Sequence, residues 1–328
     1  MIISRTPLRV SFVGGGTDIR EFYKKHKGSV VNTSINKYVY VMAHPFFNSK
    51  QVLLKYSRTE LVDSTDGITH PIFREVLKFL GIKGGLEITT NADVPTGTGL
   101  GSSSSFTVGL LNCLYAYTGK HVSREKLAKD ACHIEIEVLK EPIGKQDQYS
   151  SAFGNVNFIE FFPDEKVSVN PIRMSENCKK ELNDNMLMFY TGISRDASTI
   201  LKKQMNDINN KGRFKIFIKM AELAEELKAR LNKNDITAFG KILNKGWELK
   251  KKLSDDITNS EIDLYYKKAI KSGALGGKIL GAGGGGFLLF YADGKKHEKI
   301  RKELKNLIEL PFRFDYEGSK IVYFADGN

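Results

Sequence analysis

The 328 residues contain three cysteines, one tryptophan and eight prolines. Cys113, Cys132 and Cys178 form no Cys-x-x-Cys pair, so neither a disulfide framework nor a cysteine zinc site is expected. They read as small buried hydrophobes of a reducing compartment. Histidine is scarce as well, with six scattered residues, and no His-x-x-x-His or Glu-x-x-His spacing offers a zinc site. No apolar run approaches the roughly 18 to 20 residues of a membrane helix. The opening MIISRTPLRVSFVGGGTD lacks a long apolar stretch and a small-residue cleavage site. No secretory leader and a cytoplasmic setting are therefore expected.

Basic residues are plentiful. Lys plus Arg number 50 against 38 Asp plus Glu, a net charge of +12, which points to an anionic partner. Nucleic acid, an anionic membrane and phosphorylated small molecules compete for that role. The lysines lie in amphipathic stretches such as FKIFIKMAELAEELKARL, mixed with glutamate, and form no basic tail or aromatic-interleaved block. Neither nucleic acid nor membrane is expected, and phosphate-binding sites explain the charge.

Strand spacing marks MIISRTPLRVSFV, SINKYVYVMAHPF and GGLEITTNADV. Helices follow from about 103 to 117, with Gly119 as C-terminal cap, and from Ser123, an N-cap, to about 140. GNVNFIEFF is a strand, and 163–176 reads as a connection. NMLMFYTG is a strand, followed by helices at about 196–208, 213–232, 235–252 and 259–272. GGKILGAGGGGFLLFYA reads as a turn, a Gly-rich loop and a buried strand, KKHEKIRKELKNL as a helix and GSKIVYFA as the last strand. Without strict β-α-β alternation this is a two-part α+β chain, with parts at 1–170 and 171–328.

Four stretches carry chemistry. In VPTGTGLGSSSS, Gly97, Gly99 and Gly101 precede a helix start. Bare backbone, unpaired N–H groups and the positive helix end make an anion site suited to a polyphosphate. Ser102 to Ser105 add hydroxyls. The spacing fits neither the P-loop nor the dinucleotide fingerprint. In KILGAGGGGFLLF, Gly281 and Gly283 to Gly286 precede an apolar strand, where a ligand or another backbone must come close. In EPIGKQDQYSSAFGN, Asp147 reads as a loop residue. Glu135 falls inside the apolar arc of Leu127, Ala128, Ala131, Cys132, Ile134, Val138 and Leu139, while Glu137 falls outside it. A carboxylate facing the interior must be paired or bind a metal. One carboxylate on a metal and one as base or substrate anchor suits phosphoryl transfer. In PLRVSFVGGGTD, Asp18 is a candidate for sugar hydroxyls, and also for the N-cap of a helix at 19–25.

Together these stretches resemble the GHMP family of small-molecule kinases, whose phosphate motif has the form Pro-x-x-x-Gly-Leu-Gly-Ser-Ser-Ala. Pro95, Gly99, Leu100, Gly101, Ser102 and Ser103 match it, and Ser104 replaces the usual alanine. The resemblance implies a two-domain GHMP kinase fold, with an N-terminal ribosomal-protein-S5-domain-2-like half and a C-terminal ferredoxin-like half. It implies ATP on Pro95, Gly97 and Gly99 to Ser104, beside Gly283 and Gly284, and Mg²⁺ on Ser103 and Glu135. It implies Asp147 as catalytic residue, with Lys145 and Arg9 to pair with its charge and offset that of the γ-phosphate. Thr191, Gly192 and Arg195 resemble a segment near the substrate.

At the first motif Pro7, Arg9, Val10, Gly14, Thr17 and Asp18 agree with galactokinases, whereas Gly15 and Gly16 replace the Glu and His that contact galactose. This implies a sugar other than galactose, held by Gly15, Gly16, Thr17, Asp18 and Arg195. Within the family the stretch is most similar to the branch that phosphorylates the anomeric hydroxyl of a seven-carbon sugar phosphate. A fucokinase-like branch shares GGGTD, and mevalonate-type members lack the sugar signature. Arg20, Lys24, Lys145 and Arg195 are candidates for the sugar's own phosphate. A sugar sensor without catalysis is the rival of another class, opposed by Asp147, Glu135 and the intact GLGSS.

Overall fold

The computed structural model describes residues 1–193, 200–203, 208 and 210–325. Arg195 and most of the helix expected at 196–208 lie outside them.

Two sheets organise the described residues. The larger has nine strands. Its centre is the pair β1 (Ile2–Val13) and β2 (Gly28–Pro45), joined by α1 (Arg20–Tyr23). β3 (Val52–Lys55) and β4 (Thr59–Val62) extend it through β5 (Leu86–Ala92), after α2 (Pro71–Leu80). The second half of β2 pairs with β5 and its first half with β6 (Val156–Phe161). β7 (Val167–Pro171) adds to β6. Apart from β3 with β5, these pairs are antiparallel.

Between β5 and β6 run α3 (Ser102–Tyr117), α4 (Arg124–Cys132), a π-helical turn (His133–Val138) and α5 (Gln146–Phe153). Ser123 caps α4, its hydroxyl accepting from the Lys126 N–H. α3 packs across β1 and β2, burying Val108, Leu110, Leu111 and Leu114 completely.

After α6 (Glu176–Asp184) comes the smaller sheet, ordered β11-β8-β10-β9, from β8 (Met186–Tyr190), β9 (Gly276–Ile279), β10 (Phe287–Tyr291) and β11 (Ile308–Glu309). Helices α7 (Lys211–Leu231), α8 (Phe239–Lys251), α9 (Ser260–Lys271) and α10 (His297–Glu303) accompany it. The chain then returns: β12 (Phe314–Asp315) pairs with β2, and β13 (Lys320–Phe324) with β1.

Three expectations are corrected. The connection at 163–176 contains β7, whose Val167 and Val169 alternate along the strand. The turn before the Gly-rich loop is β9, fully buried. Asp147 lies in the first turn of α5, a short buried helix without apolar periodicity. Among the described residues no helix is long and apolar enough to cross a membrane.

Candidate active site

β1 carries Arg9 to the centre of the site, with the residue buried to 5% exposure. Its Nε and Nη2 donate to the two oxygens of Asp147, each at 2.7 Å. This is the bidentate fork a guanidinium makes best. Its Nη1 donates to the Gly99 carbonyl at 2.6 Å, and its main-chain N–H to that of Leu100 at 3.0 Å. One side chain thus fixes Asp147 relative to the phosphate loop. Gln146 adds a donor to Asp147 at 3.3 Å and accepts from the Ser11 hydroxyl at 2.9 Å.

Gly97, Gly99 and Gly101 all hold positive φ, at 76°, 88° and 74°. Gly101 is the N-cap of α3 and no side chain caps that end, leaving it to an anion. The expected room for phosphates accounts for only part of the glycine pattern. A Cβ on Gly99 would stand 2.6 Å from the Leu280 carbonyl oxygen, and one on Gly281 2.5 Å from the Gly99 Cα. The loops at 97–101 and 281–286 therefore meet backbone to backbone. Gly283 and Gly284 face Ile257, whose carbonyl accepts from the Gly284 N–H at 2.9 Å.

Glu135 sits in the π-helical turn with 1% exposure, while Glu137 points outward to Arg20. Its Oε1 accepts from Ser104 at 3.2 Å and Ser103 at 3.4 Å, and its Oε2 from Gln148 at 2.7 Å. Burial pushes its carboxyl up to about 7, with the hydrogen bonds from Gln148 and Ser104 opposing and the Asp147 charge adding. A lone carboxylate beside hydroxyls at a phosphate cradle is a hard-oxygen set of the kind Mg²⁺ takes, with phosphate oxygens and water completing its shell. The residues fit that ion.

Asp18 does not cap α1; that position is Ile19, with no side-chain cap. Its oxygens accept instead from the Gly16 and Gln146 N–H groups, each at 3.0 Å, joining the glycine turn to α5. Burial raises its carboxyl above the usual range against the Gln146 N–H. Thr17 is fully buried, and its hydroxyl bonds the main chain of Ser29 as donor at 2.9 Å and acceptor at 3.0 Å. It holds the turn and does not line the cleft.

Lys145 faces away from Asp147. Its ammonium reaches Glu165 at 2.5 Å, and Arg20 and Lys24 reach the same carboxylate at 2.8 and 3.1 Å. Partial burial would raise Glu165, but hydrogen bonds from Lys145, Tyr23 and Lys24 outweigh it and hold it at about 2. These cations form a surface knot beside the cleft.

The cleft is lined by Arg9, Ser11, Gly15, Gly16, Asp18, Gln146, Asp147, Lys250, Lys278 and Gly281, among others. Ser11, Gln146 and the two lysines escaped the sequence reading. Lys278 donates to the Ser11 and Phe12 carbonyls at 2.9 and 3.0 Å, and Lys250 to the Gly281 carbonyl. Leu243, Trp247 and Lys250 share one helical face, which is buried throughout. That spacing is the signal that would have found Lys250.

A helix N-terminus open to an anion, its loop joined through Arg9 to a carboxylate at a cleft, defines a phosphoryl-transfer site. Comparison with known proteins agrees. The family model for the GHMP kinases N terminal domain matches residues 69–155, and that for GHMP kinases C terminal matches 220–309. A D-glycero-alpha-D-manno-heptose 7-phosphate kinase of Campylobacter jejuni is 32% identical, over 97% of this chain and 98% of that protein. A galactokinase of Pyrococcus furiosus is 25% identical over 91% of each. A solved D-glycero-D-manno-heptose 1-phosphate kinase from Bacteriodes thetaiotaomicron superposes with a TM-score of 0.81 at 26% identity, covering 99% of this chain and 100% of its own. The chain belongs to the GHMP kinase family. It is a sugar kinase, a phosphotransferase with an alcohol group as acceptor.

Proposed function

We propose that the protein transfers the γ-phosphoryl group of ATP to the anomeric hydroxyl of D-glycero-D-manno-heptose 7-phosphate. The product is the 1,7-bisphosphate, a precursor of nucleotide-activated heptose for surface polysaccharide. The observation that carries this reading is the Arg9 clamp, which joins Asp147 to the Gly99 loop at the cleft. The Gly15–Gly16–Asp18 turn lines the same cleft. The resemblance to a heptose 7-phosphate kinase over nearly the whole chain supports the acceptor. The three buried thiols suit a cytoplasmic setting.

ATP lies along Pro95, Gly97 and Gly99 to Ser104, with Gly283 and Gly284 in the wall behind. Asp147 accepts the hydrogen bond of the anomeric hydroxyl, and its clamp by Arg9 fixes the lone pairs toward the acceptor. As the sugar oxygen bonds to phosphorus, the bond to the bridging oxygen of ADP breaks, and Asp147 takes the hydroxyl proton. Asp18 and the Gly15–Gly16 backbone position the sugar, and Arg9 offsets charge on the transferred group. Ser103 and Glu135 would hold Mg²⁺, which supplies neutralisation of phosphate charge when bound. A general base contributes about 100- to 10,000-fold, the rest coming from positioning.

The test is a panel of sugars and sugar phosphates incubated with ATP, the product anomer being read by phosphorus NMR. The expected result is transfer to heptose 7-phosphate at the anomeric oxygen. A strong preference for free fucose or galactose would overturn the choice of acceptor.

A further inference from the structure

Among the described residues the cleft presents three cations. Arg9 is ion-paired with Asp147 and donates to the Gly99 carbonyl. Lys278 donates to two carbonyls of β1 and so ties β9 to it. Outside the cleft, Arg20, Lys24 and Lys145 converge on Glu165. Lys250, 7% exposed, is like Lys278 in having no carboxylate in ion-pair contact; among the described residues it differs in having one main-chain oxygen, that of Gly281, as partner where Lys278 has two. An ammonium carries three donors. A buried charge without a counterion is unfavourable, and this one lines a cleft that admits ligands.

We propose that Lys250 holds the acceptor's own phosphate, the phosphomonoester the sugar brings into the cleft, as distinct from the group that ATP donates. The proposal rests on the reading of the acceptor as a sugar phosphate. The two phosphates fall to different elements. ATP's phosphates belong to the α3 N-terminus and the Gly97–Gly101 loop. Lys250 comes from α8; its Gly281 partner packs against Gly99 of that loop, and its charged neighbours in the cleft are Arg9, Lys278 and Asp18. Asp18 belongs to the glycine turn where the acceptor is placed, and both its oxygens are occupied by main-chain N–H groups. A dianion against Lys250 completes the ion pair that the protein itself leaves open.

The experiment compares D-glycero-D-manno-heptose 7-phosphate with the unphosphorylated heptose as acceptors for wild type, Lys250→Met and Lys250→Arg. The wild type prefers the phosphorylated sugar. In Lys250→Met the ratio of the two kcat/KM values falls roughly 10- to 100-fold, the worth of a charge-assisted hydrogen bond. The loss appears in KM for the phosphorylated sugar, and Lys250→Arg recovers part of it. An unchanged ratio overturns the proposal. So does an equal loss on both acceptors, which would put Lys250 on the transferred group. A wild type without preference for the phosphorylated sugar removes the underlying reading, and shows it before any variant is made. Thermal unfolding of unliganded Lys250→Met, expected at or above the wild-type midpoint, separates lost binding from lost folding.

Discussion

Lys250 lines the cleft and Glu135 lies against the serines of the α3 N-terminus; both are buried, and each is measurable by what its removal does. Burial, aided by Arg9, lowers Lys250 from 10.5 to about 8. The folded chain releases this proton near pH 8 while the unfolded chain keeps it until about 10.5. Stability therefore rises with pH across that window. Below it both states are protonated and the burial penalty stands in full, about 3 kcal/mol for such a shift. Lys250→Met should outlast the wild type in thermal unfolding at pH 7, with an advantage that shrinks toward pH 10. A gap that stays constant with pH contradicts the assignment. Glu135→Gln keeps the shape but not the ligand charge. Changing a residue that merely supports a metal ligand costs about 10- to 100-fold in affinity, so the Mg²⁺ needed for half-maximal turnover should rise at least that much. An unaltered Mg²⁺ titration would remove Glu135 from the metal site. Glu135 was legible in the sequence because a carboxylate inside an apolar arc is conspicuous. Lys250 was not, because it is one of three successive lysines, Lys250 to Lys252, and only its phase with Leu243 and Trp247 distinguishes it.

At the scale of elements, the π-helical turn at His133–Val138 aims Glu135 inward and Glu137 outward. The helical wheel anticipated both directions but not the change of helix type, which periodicity does not report. Asp147 was read as a loop residue because its helix α5 carries Gln146, Gln148, Ser150 and Ser151, which are polar yet buried, bonded to the site, to β2 and to α3. The glycine loops were recognised as sites of close approach. Their partner is largely each other, a contact between residues nearly two hundred positions apart that local sequence cannot show. Gly286 tests this: at φ +92° a Cβ would stand 2.3 Å from the Thr98 carbonyl oxygen. Gly286→Ala should lose at least about 1–2 kcal/mol from backbone strain alone and raise KM for ATP. Wild-type stability and ATP affinity in that variant would contradict the docking of the two loops.

At the scale of the molecule, the chain's last strands close the sheet that its first strands open, β13 lying beside β1. We propose a division near residue 170, with catalysis and ATP on the first part and the cleft's far wall on the second. The α+β class and the order of the motifs were legible because β1, β2, β5, β6, β8, β10 and β13 each carry their own pattern. The return of β12 and β13 was not, since pairing between chain ends leaves no local mark. A fragment of residues 1–170 lacks β13, one of the two partners of β1, and should fail to show a cooperative thermal transition, whereas the full chain shows one. A cooperative, ATP-binding fragment would contradict this. The net charge of +12 suits a cleft that must gather a nucleotide and a sugar phosphate. The central claim, that Asp147 held by Arg9 activates the acceptor, is tested most directly by Asp147→Asn. Single-turnover kinetics with parallel ATP-binding measurements should show transfer slowed by about 100-fold or more with ATP affinity retained; near-normal transfer in that variant would contradict it.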